Sequence, residues 1–283
     1  MQLKTLAYKY NKLMQKASVN FNININGHNF KIPLIEDIGF SNLYLKDDWF
    51  LQIIKKLNLD PDTDIIDVGV NVGQSLLHFK SILPNRYWGF EPNPNCLHYL
   101  DNLKKLNQFE HVTIFPVGLS SHNGIVGFYS DNESDSCATI VSDLRPGWYK
   151  AKEKKYVPVF AFDQLDTTDI KKVSFLKIDV EGAELEVIKG MVQRIQADQP
   201  VILCEILDYN SEESASVLQA RANELVALVH SLSYSIYKID HHSKQVVEYS
   251  LLEEVKLKKW SDDSFDGNDY LFVPSHFDAR LLQ

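Results

Sequence analysis

Two stretches of this chain set chemistry-bearing side chains at regular intervals. The first is Asp67-Val-Gly69-Val-Asn71-Val-Gly73, in which an acid opens a turn bracketed by two glycines. A second acid, Glu91, stands about 20 residues past the glycines, the place from which a carboxylate grips ribose hydroxyls. Glycines at that spacing let backbone approach a ligand closely. The other stretch is Lys177-Ile-Asp179-Val-Glu181-Gly182-Ala-Glu184-Leu-Glu186, with four carboxylates in eight residues. Asp179 and Glu181 fall in the turn after an apolar run, whereas Glu184 and Glu186 are expected on the solvated face of the following helix. A nucleoside cofactor beside a pair of candidate acid–base groups is the chemistry these residues suggest.

The cofactor's class follows from the turn. Dinucleotide binders use three glycines so that pyrophosphate can rest on a helix N-terminus. Here the third glycine is missing, no Lys-Ser or Lys-Thr pair follows, and Asp67 would repel phosphate. An acid there suits a ligand carrying an ammonium and a sulfonium. The pattern resembles the first motif of S-adenosylmethionine-dependent methyltransferases, with Glu91 as their ribose-binding acid. On that reading Asp67 and Asn71 surround the methionine moiety, and Gly69 and Gly73 allow backbone approach. Gly118, in Gly118-Leu-Ser-Ser121, lies where adenine would sit.

The elements that must hold these groups are legible from periodicity. Ile65–Val68 is a β-branched run typical of a buried parallel strand, and Gln74–Ser81 has helical apolar spacing. Tyr87–Phe90 is a strand, Asn95–Leu106 a helix and Val112–Val117 a third strand. Ile125–Tyr129 and Tyr156–Phe162 are strand-like, with the polar, irregular Ser130–Lys155 between them. Within it Trp148 is either a substrate-stacking ring or a loop anchor. Phe162–Leu165 is a short helix. Val173–Asp179 is a strand, and the helix after it is expected to end at Gly190 as a C-terminal cap. Val201–Ile206 carries Glu205 near its end, Glu212–Ser231 is a helix, and Tyr234–Ile239 and Tyr270–Val273 are strands. His241-His242 reads as an exposed turn.

Before this unit, Leu3–Met14 is a short amphipathic helix. Val19–Ile35 is a hairpin turning at Asn26-Gly27, and Asp48–Leu57 is a helix. The expected organisation is a preface over 1–60 and a main domain over 61–283, with 123–156 as an insert or lid.

Bulk properties narrow the partners. The chain has 283 residues, 45% hydrophobic and 24% charged, as in ordinary globular proteins. A net charge of −9 disfavours a nucleic-acid groove, and the densest basic cluster, Lys150–Lys155, is interrupted by Glu153. Cys96, Cys137 and Cys204 have no C-x-x-C spacing, which fits free thiols in a reducing compartment. No apolar run approaches a membrane span, so a cytoplasmic location is expected. No H-E-x-x-H, EF-hand loop or Cys/His ligand spacing is present.

Asp67-Val-Gly-Val-Asn-Val-Gly-Gln74, Phe90-Glu-Pro92, Leu176-Lys-Ile-Asp-Val-Glu-Gly-Ala-Glu184, Pro200-Val-Ile-Leu-Cys-Glu205 and Asn268-Asp-Tyr-Leu-Phe-Val273 together resemble the FkbM-type methyltransferases. The resemblance covers roughly residues 60–275. Val70 departs from it, where the family usually has a small residue such as alanine. The resemblance implies an α/β, Rossmann-like class I methyltransferase fold, with a seven-stranded, mostly parallel sheet and its last strand antiparallel. It further implies methyl transfer from S-adenosylmethionine to a hydroxyl of a sugar, glycan or natural product. Asp179 is then the candidate base, with Glu181 or Glu205 orienting the acceptor. A metal-free site is preferred; the variant is Mg²⁺ held by Asp179 with Glu205 or Asp208. Two rivals stay open: a non-catalytic nucleoside-binding module and a nicotinamide-dependent oxidoreductase.

Overall fold

The computed structural model describes residues 19–36, 38–45, 48–130, 153–242, 245–260 and 267–278. The expected helix over Leu3–Met14 and most of the irregular segment with Trp148 lie outside them.

The chain opens with a hairpin, β1 (Val19–Ile25) and β2 (His28–Leu34). Asn26 and Gly27 take φ of +51° and +80°, the pair of positive values that a tight two-residue hairpin turn demands. Asp48 accepts from Leu51 N (3.3 Å) and so caps α1 (Trp49–Leu57), which buries Phe50, Leu51, Ile53, Ile54 and Leu57. There follow β3 (Asp64–Val68), α2 (Gln74–Lys80), β4 (Arg86–Phe90), α3 (Pro94–Asn107) and β5 (Val112–Phe115).

A side sheet comes next: β6 (Gly118–Leu119), β7 (Gly124–Ser130) and β8 (Glu153–Phe160), in the order β6-β8-β7. The second half holds β9 (Val173–Ile178), α4 (Glu184–Gly190), α5 (Val192–Asp198), β10 (Val201–Glu205) and α6 (Glu212–Ser231). It ends with β11 (Tyr234–His242), β12 (Gln245–Leu252) and β13 (Asp269–Pro274).

The main sheet runs β12-β11-β13-β10-β9-β3-β4-β5. Pairs among β10, β9, β3, β4 and β5 are parallel; β13 is antiparallel to both neighbours, β10 and β11. The antiparallel last strand is as expected. The strand count is not: β12, folded back antiparallel on β11, makes the sheet eight-stranded rather than seven.

Strand periodicity feeds two cores, because successive side chains leave the sheet on opposite faces. Ile65, Phe175, Leu203 and Leu271 join one apolar cluster with α1, α2, α3 and the hairpin. Ile66, Leu176, Ile202 and Phe272 join the other, with α4, α5 and α6. Each such fully buried aliphatic or aromatic side chain contributes about 1.5–3 kcal/mol. The hairpin is fastened as well as packed: Lys31 and Asn107 exchange two 2.7 Å hydrogen bonds, and Asn26 Nδ2 donates to Ser81 O at 2.9 Å. Among the described residues no helix is long and apolar enough to cross a membrane.

Three local expectations are corrected. Gly190 is not a left-handed cap but the last residue of α4, where a Cβ would meet Ser120 O at 2.0 Å; close packing against the side sheet requires the glycine. Glu184 is buried rather than on a solvated face. His241 is buried within β11, which continues past a bulge at Asp240/His241 instead of turning.

Candidate active site

A cavity of about 380 Å³ opens along the carboxyl edge of the parallel strands, where ligands bind in open α/β sheets. Its wall follows the strand order. Glu91 follows β4, Gly69 follows β3, Asp179 follows β9 and Glu205 ends β10. Because β13 runs the other way, its first residue, Asp269, arrives at this same edge, paired in register with Glu205.

The glycine turn is built as much by the sheet as for a ligand. Gly69 has φ of +86°, and a Cβ there would lie 1.8 Å from Asp179 O. The two site strands therefore meet through backbone at this point. Gly73, at φ +79°, caps α2, and a Cβ there would press on Leu100 and Leu103. It stands behind the cavity wall, whereas Gly69, Asn71 and Gly118 line it.

Asn71, at φ +49°, donates its backbone N–H to Glu91 Oε2 at 2.8 Å, and Asn93 N donates to Glu91 Oε1 at 2.7 Å. Each carboxylate oxygen keeps a lone pair for a further donor, which suits a pair of ribose hydroxyls. Burial pushes the Glu91 carboxyl up to about 7, against the two N–H groups that favour its charge.

Asp67 is fully buried beneath the cavity instead of on its wall. Its Oδ2 accepts from the Ser75 and Tyr87 hydroxyls, and its Oδ1 lies 3.6 Å from Lys177 Nζ. Burial raises its pKa, with Lys177 and the two hydroxyls opposing. Asp67 thus ties β3, α2, β4 and β9 together under the turn.

Asp179, Glu181 and Glu205 converge. Each offers a carboxylate oxygen, and these oxygens all lie within 4.8 Å of one another. Lys177 Nζ, 2.9 Å from Asp179 Oδ2, is the cation among them. Burial works against the lysine's charge, but Asp179 and Asp67 outweigh it and hold the pKa above its ordinary value. Glu205 is pushed well above the usual carboxylate range by burial, then by Asp179, Glu181 and Asp269. Glu181, which lines the cavity, takes φ of +58°, a strained value for a residue with a side chain. Asp208 does not join them: it accepts from Lys258 N at 2.7 Å, in a separate small pocket beside α6.

Three participants escaped sequence reasoning: Lys177, Asp269 and Glu184. Asp269 was derivable, since an antiparallel final strand must begin where its parallel neighbours end. Glu184 accepts from Gly182 N at 2.8 Å, bracing the turn that carries Glu181, and burial pushes its carboxyl up to about 7.

Sheet order and carboxyl-edge cavity define an α/β protein of the Rossmann-like class. The Methyltransferase FkbM domain model matches residues 67–236, and the chain belongs to that family. It is 27% identical over 165 residues to methyltransferase sdnD of Sordaria araneosa, covering 47% of this chain and 62% of that protein. It is 28% identical over 147 residues to the hexuronic acid methyltransferase AglP of Haloferax volcanii, covering 51% of this chain and 56% of that protein. The alignments thus span less than two thirds of these relatives' lengths. Among solved structures it is similar to a methyltransferase FkbM from Methylobacillus flagellatus, at 18% identity and TM-score 0.47, covering 76% of this chain and 44% of that one.

Proposed function

We propose that this chain is an S-adenosylmethionine-dependent O-methyltransferase whose acceptor is a hydroxyl of a sugar, glycan or natural product. The observation that carries the reading is the convergence of Asp179, Glu181 and Glu205 in the same cavity as Glu91, at the carboxyl edge of the sheet. The methyltransferase names of its relatives support the reaction class, and AglP's name supports a sugar.

When bound, S-adenosylmethionine supplies a methyl group already activated by its sulfonium. Glu91 is the group to hold the ribose, Asn71 and Gly69 the turn beside the methionine portion, and Gly118 the adenine wall. Asp67 is better assigned to positioning: buried under the turn, it fixes Ser75, Tyr87 and Lys177. The remaining task is to align an acceptor oxygen and take its proton. Asp179 is the base in this reading, partly exposed to the cavity and bound to Lys177. Glu205, whose raised pKa favours its protonated form, then serves as a hydrogen-bond donor to the acceptor or to Asp179.

The carboxylate triplet favours a second version. Its three oxygens suit a hard divalent cation such as Mg²⁺, which would lower the hydroxyl pKa as a Lewis acid.

Thermal unfolding with S-adenosylmethionine, S-adenosylhomocysteine or NAD, each with and without Mg²⁺, tests the reading. A ligand at 100 times its Kd stabilises by about 2.7 kcal/mol, a shift of a few degrees. Stabilisation by both adenosyl ligands that disappears in Glu91→Ala is the expected result. Stabilisation by NAD alone would point to the oxidoreductase class. Cofactor binding with function intact in Asp179→Ala and Glu181→Ala would point to a binding module.

A further inference from the structure

At the end of the cavity remote from Glu91, one wall comes from outside the matched domain segment. Trp49, at the start of α1, lines the cavity and is half-buried. Its indole stacks on the His241 imidazole, with centroids 4.4 Å apart and planes 10° from parallel. His241 Nε2 in turn lies 3.0 Å from Asp269 Oδ2. Trp49, His241 and Asp269 all fall outside residues 67–236. One indole face is therefore covered by a ring fixed to the sheet, its neighbour Phe50 meets it edge-on with centroids 6.0 Å apart, and the half-buried indole lines the cavity together with Asp269 and Glu205.

The chemistry of this end is one-sided. Four acidic side chains, Asp179, Glu181, Glu205 and Asp269, line it; Glu205 is held toward its protonated form, Lys177 is already engaged by Asp179 and Asp67, and the other carboxylates set the charge. Carboxylates accept hydrogen bonds from hydroxyl or ammonium groups and repel another anion. An indole face packs on the apolar C–H face of a saturated ring and attracts a cation through its quadrupole.

We infer that Trp49 is the acceptor platform, and that the acceptor is a saturated, hydroxylated ring without negative charge, a neutral or amino sugar rather than a uronic acid. The inference rests on the methyltransferase reading and sets this chain's selectivity apart from that named for AglP, a hexuronic acid methyltransferase. Trp49 binds the ring. His241 is a positioning residue that fixes the indole plane.

The test uses the full chain saturated with S-adenosylhomocysteine and three probes: methyl glucoside, methyl glucosaminide and methyl glucuronide, read by saturation-transfer NMR. The first two are expected to bind through their ring C–H faces, and the glucuronide to bind at least about tenfold more weakly. Trp49→Leu, which refills the wall without a π face, and Trp49→Ala should each weaken glycoside binding about tenfold. Trp49→Phe should stay within about threefold, and the homocysteine ligand's affinity should change less than twofold in all three. Preference for the glucuronide, glycoside binding indifferent to Trp49→Leu, or no glycoside binding beside intact adenosyl binding would each overturn the platform and leave the methyltransferase reading standing. Failure of S-adenosylhomocysteine to bind the native chain would overturn that reading as well.

Discussion

Lys177 Nζ stands 2.9 Å from Asp179 Oδ2 and 3.6 Å from Asp67 Oδ1, so one largely buried cation on the cavity wall links a cavity carboxylate to one fully enclosed beneath the turn. Removing one partner of a buried ion pair leaves an uncompensated charge, at about 3–5 kcal/mol. Lys177→Met should therefore destabilise the fold by that order, through the enclosed Asp67, and raise the pKa of Asp67 further, since Lys177 opposes the effect of its burial. Denaturant unfolding gives the first effect, and carboxyl titration by NMR the second. A variant as stable as the native chain would remove Lys177 from the architecture of the site.

Asp64 makes the same argument away from the cavity. Its carboxylate takes Arg86 Nε at 2.8 Å and Nη2 at 2.6 Å, Trp88 Nε1 at 3.0 Å and Lys171 N at 2.7 Å. Asp64→Ala strands all of these donors at the base of the central strands. A loss of about 3–5 kcal/mol is expected in equilibrium unfolding, with adenosyl binding retained at temperatures where the variant is folded.

Cofactor affinity should follow the ionisation of Glu91. Its folded pKa is raised to about 7, and the ionised form is the better acceptor for ribose hydroxyls. Affinity for S-adenosylhomocysteine is then present above pH 7 and falls about tenfold between pH 8 and pH 6. Calorimetric titration across that range checks it; a flat profile would detach Glu91 from the ribose.

Glu184 predicts a stability trend of defined sign. Its pKa is raised from 4.5 to about 7 by burial, so between those values the native state holds more protons than the unfolded chain. Stability from this group is present below pH 4.5 and lost as pH rises through 7, by at most about 3 kcal/mol. Glu184→Gln should therefore gain on the native protein as pH rises from 5 to 8. Parallel melts at several pH values measure the gap, and a constant gap would contradict the prediction.

Two glycines with nearly equal φ separate strain from crowding. Gly27, at φ +80°, has nothing within 4 Å of where a Cβ would stand, and Gly27→Ala should cost about 1 kcal/mol. Gly69, at φ +86°, faces Asp179 O at 1.8 Å from that position, and Gly69→Ala should cost several times more because strand ends must part. Chemical denaturation of the pair measures the difference, and equal losses would mean that the Gly69 contact yields easily.

Much of this fold was legible because local signals agreed with the tertiary outcome. The β-branched run at Ile65–Val68 and the Asn26-Gly27 turn each have one low-energy interpretation, and both form as read. The family's motifs likewise mark Glu91, Asp179, Glu181 and Glu205, which all line the cavity. What was illegible depends on long-range packing. Glu184 has the spacing of a solvated helix face, yet its proximity to the Gly182 turn and the sheet buries it. His241-His242 looks like a turn because nothing local announces that Trp49, far back in the chain, will cover His241. Motif alone sets Asp67 against the ligand; only the neighbouring Ser75 and Tyr87 hydroxyls show that it faces inward.

The position of β13 has a consequence for biosynthesis. It follows β11 and β12 in the chain but lies between β10 and β11 in the sheet. A nascent chain that has emerged only as far as β12 cannot zip its sheet shut, because the slot for β13 is still vacant. Closure waits for residues 269–274, and Asp269 enters the cavity edge in the same event. Domain completion is thus expected only once residues 269–274 have emerged. Ribosome-stalled chains ending before residue 269 should stay protease-sensitive.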